Sequence, residues 1–301
     1  MSLLKKPLII SVLVLMPFLS TLAAEPKTYT APIDLQSHRP VVELTINGEG
    51  PFPFVFDTGA DQLYIQKSLV DKLALKKTGT GRIGSPLGEG FDADLVLIDQ
   101  LSVGGATLRS VEALVNTLPP QAMGGSTWGV IGPFAFKEYG RVSFDFKNRR
   151  LEIGGSVTEG SETKWINFGK DAPLLDAELF IEGQNIPVHI DTGMPGIVTV
   201  PARYANHIPL KSEIRTLGMA RTIDREFEIK GAKVDLNLSL GDAQIPLTSL
   251  TFFEDMPLGN LGMGALHNLI LEIDWEGQRY RLSGIAEPKE MQRRRRPVKQ
   301  S

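Results

Sequence analysis

Cysteine is absent from the 301-residue sequence, and histidine occurs only four times. Without cysteine the chain has no disulfide, no thiol nucleophile and no site for a lipid anchor behind an export leader. The histidines are scattered and form no HExxH pair, so we expect no metal site and no cofactor. Basic residues do not outnumber acidic ones, and the net charge of −3 argues against a nucleic-acid partner.

Long hydrophobic runs are also scarce, and the clearest one lies near the start of the chain. Lys5 and Lys6 precede an apolar run that extends from Pro7 to about Leu22, and two alanines follow. This order is typical of a secretory signal peptide, which we place at residues 1–24. Because a spanning helix needs about 20 apolar residues, an uncleaved membrane anchor is the less favoured alternative.

The C-terminal end of the sequence carries the only concentrated run of like charges, and these charges are positive. It consists of Arg293, Arg294, Arg295 and Arg296, within a basic tail that we predict to be disordered over residues 287–301. This run predicts either a weak contact with an anionic envelope surface or a solvated chain end.

The most informative feature is an internal repeat. The segment FVFDTGADQLYI, residues 54–65, places Asp57 in an apolar run, and VHIDTGMPGIVTV, residues 188–200, does the same with Asp191 134 positions later. A glycine and an aspartate further along each half also recur, at a spacing close to 134 residues. We therefore predict two homologous halves at residues 31–155 and 172–286, joined by a linker at 156–171.

Within each half the pattern is that of an all-β protein. Short alternating runs are separated by turn residues, in a chain with 30 glycines and 20 prolines. Two hairpins are expected, with turns at Lys147-Asn148 and Glu276-Gly277. We expect Asp145 and Asp274 to be exposed at matching positions in them. Short helices are expected at 67–75, in FAFKEY and in GALHNL.

An aspartate inside an apolar strand is costly unless it is hydrogen-bonded or paired. Glycine directly after Asp-Thr permits a tight turn in which backbone amides can approach the carboxylate. Two such loops from similar halves would place Asp57 and Asp191 side by side. Two adjacent carboxyl groups share one proton, so one can activate water while the other polarises a carbonyl oxygen.

These residues resemble the retropepsin-like aspartic peptidases, with both halves in one chain as in the pepsin-like enzymes. FVFDTGAD is similar to the retroviral protease signature, and Val130-Ile131-Gly132 resembles the second signature of two apolar residues and glycine. In the second half Asn260-Leu261-Gly262 is a poorer match. The resemblance implies two β-barrel lobes related by a pseudo-twofold axis, with the active-site cleft between them.

The resemblance also implies roles for individual residues. Asp57 and Asp191 would be the catalytic dyad, and Thr58 and Thr192 would brace it. The carbonyls of Gly59 and Gly193, together with Asp61, would hold substrate main chain. The counterpart of Asp61 in the second half is Pro195, which lacks an N–H group, so the two ends of the cleft should bind substrate unequally.

A glycine-rich flap is a further implication of the family. Residues 78–90, with Arg82, Ile83 and Gly84 as substrate-binding candidates, fit a mobile hairpin. The matching region of the second half, residues 217–229, is charged and has few glycines, which suggests a single working flap. Ala60 and Met194 stand where pepsin-like enzymes carry a hydroxyl, so we expect no hydroxyl donor to the outer carboxylate oxygens and an activity optimum near pH 5–6.5.

The sequence therefore predicts an aspartic endopeptidase that acts on extended peptide or protein substrates. A catalytically inactive peptide-binding envelope protein on the same fold is the alternative. The leader and the fused halves suggest a periplasmic or secreted protein of a Gram-negative bacterium. We expect a monomer, with a dimer that exchanges its halves as the alternative.

Overall fold

The computed structural model describes residues 26–35, 38–85, 88–117, 126–157, 159–160, 162–169, 174–221, 226–254 and 256–288. The predicted leader and the arginine run lie outside these residues. Within the described part, no helix has the length and apolar character needed to cross a membrane.

The described chain is mostly β-strand. Residues up to 157 form β1 Thr28–Pro32, β2 Val41–Ile46, β3 Glu49–Phe56, β4 Leu63–Gln66, β5 Lys77–Ser85, β6 Gly88–Val103, β7 Ala106–Asn116, β8 Gly129–Ile131, β9 Arg141–Asp145 and β10 Arg150–Gly154. The remainder forms β11 Ile166–Asn167, β12 Asp176–Ile181, β13 Gln184–Asp191, β14 Val198–Pro201, β15 Arg215–Arg221, β16 Glu226–Leu240, β17 Asp242–Phe253, β18 Gly259–Gly262, β19 Ile270–Asp274 and β20 Arg279–Ile285.

Helices are few and short, as the sequence predicts. They are α1 Lys67–Lys72, α2 Met263–Leu266 and two 3₁₀ helices at Pro133–Tyr139 and Ala202–His207. The first three lie at the predicted places. The second 3₁₀ helix has no counterpart among the expected helices.

Seven strands between residues 41 and 131 form one sheet in the order β2-β3-β8-β4-β7-β6-β5. A further antiparallel pairing, of Thr45 with Ser102 and Ile46 with Leu101, joins β2 to β6. This pairing closes six strands into a barrel and leaves β5 as an outer strand on β6. Val42, Leu44 and Ile46 alternate into the barrel interior, as expected for a strand with one buried face.

The C-terminal half repeats the same succession of pairings. The parallel pair β3–β8 corresponds to β13–β18, and the parallel pair β4–β7 corresponds to β14–β17. The antiparallel pairs β5–β6 and β15–β16 also correspond. No pairing of β12 with β16 closes this second set within the described residues.

The two halves share a continuous sheet. Strand β9 pairs antiparallel with β19, and Val142 lies opposite Ile273. This pairing makes β1, β9 and β10 part of a 13-stranded sheet that otherwise belongs to the C-terminal half. The predicted linker also contributes, because Ile166 and Asn167 of β11 pair with β20.

The aromatic core lies directly behind the first Asp-Thr-Gly. Phe56, the last residue of β3, packs against Phe136 and Phe144 at centroid distances of 5.7 and 5.2 Å. All three side chains are fully buried. The strand that ends at Asp57 is therefore anchored by packing up to its last residue.

Both predicted hairpins, β9–β10 and β19–β20, are confirmed. The expectation that Asp145 and Asp274 are exposed is wrong, since they are only 6% and 4% exposed. Each carboxylate closes its own turn: the backbone N–H of Asn148 donates to Asp145 at 2.9 Å, and that of Gly277 donates to Asp274 at 2.8 Å. These local donors compensate for the burial of the charge.

Candidate active site

Each Asp-Thr-Gly follows a strand whose neighbour is the glycine segment of the same half. Strand β3 lies parallel to β8, and Asp57 N–H donates to the carbonyl of Ile131 at 2.8 Å. Strand β13 lies parallel to β18 with Asp191 opposite Gly262. Both aspartates are therefore fixed at a strand end, where the chain must turn away.

The two threonines exchange hydrogen bonds between the halves. The N–H of Thr58 donates to Thr192 Oγ1, and the N–H of Thr192 donates to Thr58 Oγ1, both at 3.0 Å. Each hydroxyl in turn donates to a strand of the opposite half, Thr58 to the carbonyl of Ile190 at 2.6 Å and Thr192 to that of Phe56 at 2.9 Å. Both threonines are fully buried, so neither loop can shift without breaking these bonds.

This exchange brings the two carboxyl groups together. Oδ1 of Asp57 and Oδ1 of Asp191 each lie 3.2 Å from the point that a Cβ on Gly59 would occupy. A Cβ on Gly193 would collide with the carboxylate of Asp57. Close approach to the Asp57 carboxylate therefore requires glycine at position 193, and a side chain at position 59 would crowd both carboxylates.

Backbone amides hold the inner oxygens of the pair. Oδ1 of Asp57 accepts from Gly59 N–H at 2.8 Å and from Gly193 N–H at 3.0 Å. Oδ1 of Asp191 accepts from Met194 N–H at 2.9 Å. Amide donors of this kind stabilise an ionised carboxylate and fix its orientation.

The outer oxygens differ between the two aspartates. Asn260 Nδ2 donates to Oδ2 of Asp191 at 2.9 Å, whereas Oδ2 of Asp57 accepts no hydrogen bond from the described residues. The sequence argument concerned only a hydroxyl on the residue after each Asp-Thr-Gly and missed this amide donor to Asp191. The amide reaches the carboxylate from the neighbouring strand β18.

The electrostatics favour a proton on this pair. Burial, followed by the negative charge of Asp57, raises the pKa of Asp191 to about 7. The charge of His189, the amide of Met194 and the charge of Arg39 oppose that rise in pKa. The pair therefore retains one shared proton well above the pH at which a solvated carboxyl group loses it.

Arg39 is a site residue that sequence reasoning missed. Its Nε donates to the carbonyl of Gly193 at 2.5 Å, across 154 positions of the chain. The family resemblance implies a substrate-binding role for that carbonyl, and in this structure one of its lone pairs is already engaged by Arg39. No local pattern around Arg39 indicates this contact, which depends on how the halves pack.

Asp61 lies exposed at the end of the first Asp-Thr-Gly loop. The hydroxyl of Tyr64 donates to Asp61 Oδ1 at 3.0 Å. Burial, then the nearby Asp61, strongly raise the pKa of Tyr64. Tyr64 therefore remains a neutral donor that holds the Asp61 carboxylate in place. The second half has Pro195 at the corresponding position.

The predicted flap is an antiparallel hairpin of β5 and β6. Arg82 is exposed and lies 3.4 Å from Asp92, whereas Ile83 is buried against Ala93 and Leu114. Among the described residues, no atom lies within 4 Å of the place where a Cβ on Gly84 would project. Gly84 thus borders open space, and Ile83 packs the base of the hairpin.

The second half also forms a hairpin at the corresponding place, in the region whose composition suggests only one working flap. Strands β15 and β16 pair from Arg215 opposite Gly231 to Arg221 opposite Glu226. The pairing has a register shift between Thr216 and Gly218. Met219 on β15 is 63% exposed, an unusual position for a large apolar side chain.

His189 is buried, and only one of its ring nitrogens has a partner among the described residues. Nδ1 lies 3.2 Å from Oδ1 of Asp176, while buried Nε2 has no partner among the described residues. The described side chains contain no cluster of three or more His, Cys, Asp or Glu residues that could hold a metal ion.

Comparison with known proteins agrees with this geometry. Residues 42–132 match the family model described as aspartyl protease, and the match spans β2 to β8 with the first Asp-Thr-Gly. No curated protein matches the chain. Residues 42–132, which carry Asp57, are therefore similar to aspartyl proteases.

Proposed function

We propose that the chain is an aspartic endopeptidase whose catalytic groups are Asp57 and Asp191. The observation that carries this proposal is the reciprocal hydrogen bonding between Thr58 and Thr192. It brings the carboxyl groups of Asp57 and Asp191 to the same distance from one point, the position of a Cβ on Gly59. The match to aspartyl proteases supports a peptidase activity in general. The repeated strand pairings support two lobes related by a pseudo-twofold axis.

In the proposed reaction, the pair begins with one proton and one negative charge. The ionised carboxylate takes a proton from a water molecule, whose oxygen attacks the carbonyl carbon of the peptide bond. The other carboxyl group gives its proton to the carbonyl oxygen, which produces a tetrahedral diol. A proton then passes to the amide nitrogen, the C–N bond breaks, and the acid and amine products leave. No cofactor is needed, because the carboxyl groups supply every proton.

Substrate would bind as an extended strand between the hairpins and the Asp-Thr-Gly loops. The carbonyls of Gly59 and Gly193 are the candidate acceptors, and Arg82 and Gly84 are the candidate contacts on the first hairpin. Asp61 can accept from substrate on one side, while Pro195 offers no N–H on the other. The cleft should therefore grip the two ends of a peptide unequally.

The surroundings of the protein are part of the proposal. A cleaved leader at 1–24 would send the chain to the periplasm or outside the cell, and Arg293–Arg296 would allow weak contact with an anionic surface. Because both carboxyl groups come from one chain, a monomer suffices for activity. These proposals rest on the sequence.

The decisive experiment compares wild type with Asp57→Asn and Asp191→Asn on a diverse peptide mixture between pH 3 and 7.5. Each substitution removes one member of the proton-sharing pair, so we expect both to reduce cleavage by at least about a thousandfold. Mass spectrometry would detect the new peptide termini. Asp99→Asn, at an exposed position of β6, is the matched control.

Retention of wild-type cleavage by either active-site variant would refute the shared dyad. A wild-type chain that binds peptides but never cuts them would favour the inactive peptide-binding alternative. Mass in solution separates a monomer from a dimer with exchanged halves.

A further inference from the structure

A row of polar residues crosses the C-terminal sheet immediately behind Asp191. Its members occupy directly opposed positions on the five neighbouring strands β12, β13, β18, β14 and β17. In that order they are Asp176, His189, Asn260, Thr199 and Thr251. Residues opposed in this way project from the same face of a sheet, so their side chains are neighbours.

Contacts run along the row and from the row to the dyad. Asp176 Oδ1 lies 3.2 Å from His189 Nδ1, and the hydroxyls of Thr199 and Thr251 are 2.7 Å apart. Asn260, in the middle, donates to Oδ2 of Asp191 at 2.9 Å and lies 3.6 Å from the sulfur of Met194. The middle of the row therefore contacts the carboxylate of Asp191 and the loop that carries it.

The corresponding row of the N-terminal half is almost entirely apolar. On strands β2, β3, β8, β4 and β7 the opposed residues are Val41, Val55, Val130, Tyr64 and Leu114. Val55 and Val130 pack with Ala60 in a small apolar cluster behind Asp57. The fold therefore does not require polar residues at these positions.

This difference makes the surroundings of the two carboxylates unequal. Asn260 donates to the outer oxygen of Asp191, while Val130 occupies the matching place behind Asp57 and cannot donate. The charged groups that act on Asp191 are Asp57, His189 and Arg39. His189 is in turn faced by Asp176 on β12. A half-buried amide and a buried imidazole behind one catalytic carboxylate are costly unless they are used.

We propose that Asn260, supported by His189, is the positioning residue of Asp191 and makes the two aspartates of the dyad chemically different. Asn260 fixes the rotation of the Asp191 carboxyl group and stabilises its ionised form through Oδ2. His189 lies on the same side, beside Asp176, and its charge opposes the rise in the pKa of Asp191. This inference deepens the proposed function and rests on it, because it concerns the same pair of carboxyl groups.

The test is a titration that does not require turnover. In protein labelled with ¹³C at the aspartate carboxyl groups, NMR follows the dyad between pH 3 and 9, and Asp191→Asn assigns the signal. Asn260→Leu removes the donor at similar side-chain volume, so we expect the upper titration midpoint to rise by about one pH unit. His189→Gln keeps a polar group but removes the charge interaction of His189 with Asp191. We expect it to raise the upper titration midpoint by about half as much as Asn260→Leu does.

Two further variants complete the design. Asn260→Asp has nearly the same shape as the native residue, so it serves if Asn260→Leu fails to fold, and its added negative charge should raise the midpoint by at least about one unit. Asn237→Leu makes the same asparagine-to-leucine change at an exposed position of β16 and should leave the titration unchanged.

Peptide cleavage measured on the same proteins separates this inference from the proposed function. If the enzyme cuts peptides, the alkaline limit of kcat should move with the titration midpoint. An inactive wild type with the expected titration shifts would remove the peptidase proposal and leave the positioning role in place. A midpoint that does not move in any folded variant at Asn260 would overturn the positioning role.

Discussion

The carboxyl group of Asp191 lowers the stability of the folded protein at neutral pH. The pKa of Asp191 is raised to about 7 in the folded protein, from an ordinary value of 3.8. Between these two values the folded chain binds more protons than the unfolded chain, so stability falls as pH rises. The penalty is complete only above about pH 7, where the folded protein must also ionise this group.

Asp191→Asn should therefore stabilise the protein at neutral pH while abolishing catalysis. We expect a gain in the free energy of unfolding of roughly 1–3 kcal/mol at pH 8, shrinking towards zero at pH 4. Urea denaturation at the two pH values measures this difference. Asp99→Asn should show no such gain, and equal stability of Asp191→Asn and wild type at pH 8 would contradict the raised pKa.

The pH dependence of cleavage follows from the same group. Activity needs one proton on the dyad, so the rate should fall as pH rises through about 7, the value raised by burial and Asp57. We retain the expected optimum of pH 5–6.5, although the Asn260 amide donates to the outer oxygen of Asp191 where pepsin-like enzymes use a hydroxyl. A profile of kcat/KM against pH with its maximum below about pH 4 would refute it.

At the scale of single elements, the first hairpin depends on one glycine. Gly90 on β6 has a φ of +69°, and a Cβ there would collide with the carbonyl of Ile83 on β5. Gly90→Ala should therefore open the β5–β6 pairing, because a left-handed residue with a side chain costs about 1–2 kcal/mol before any collision is counted. Hydrogen exchange of the hairpin amides should accelerate by about tenfold or more.

Gly79→Ala is the matched control for this hairpin, since a Cβ there would meet only Leu95 at an ordinary 3.8 Å. If the hairpin is a lid, Gly90→Ala should also lower kcat/KM, and Gly79→Ala should not. Unchanged exchange in Gly90→Ala would show that the hairpin tolerates a side chain at this position.

The elements also show what the sequence could and could not predict. Hairpin turns and the two Asp-Thr-Gly loops are local patterns that occur twice, so they could be read directly. Asn260 looked like a defect in the glycine segment, because its partner Asp191 is reached only through the parallel pairing of β13 with β18. Arg39 likewise needs the packing of the two halves, which no local pattern records.

At the scale of the whole molecule, a buried ion cluster holds the halves together at the β9–β19 pairing. Glu272 on β19 is 1% exposed and accepts from Arg141 of β9 and, at 2.8 Å, from Arg281 of β20. Glu272→Gln would leave two arginines without their shared carboxylate. We expect a loss of about 3 kcal/mol in the free energy of unfolding, typical of breaking a buried pair.

Denaturation by urea would measure that loss, with Glu112→Gln at an exposed position of β7 as the control. Because the sheet is continuous across β9 and β19, both halves should unfold in one transition. A variant that unfolds in two separate steps would show that the halves are stable independently. Unchanged stability would mean that the buried ion cluster makes no net contribution to the free energy of unfolding.

Carrying both Asp-Thr-Gly loops on one polypeptide has a consequence for what mutation can change. In an assembly of two identical subunits, any substitution appears on both sides of the axis at once. Here Val130 and Asn260 occupy equivalent places, yet each is encoded by its own codon and can vary alone. The acid–base character of one carboxylate is therefore open to adjustment while the other stays fixed, a freedom that an exactly symmetric pair does not have.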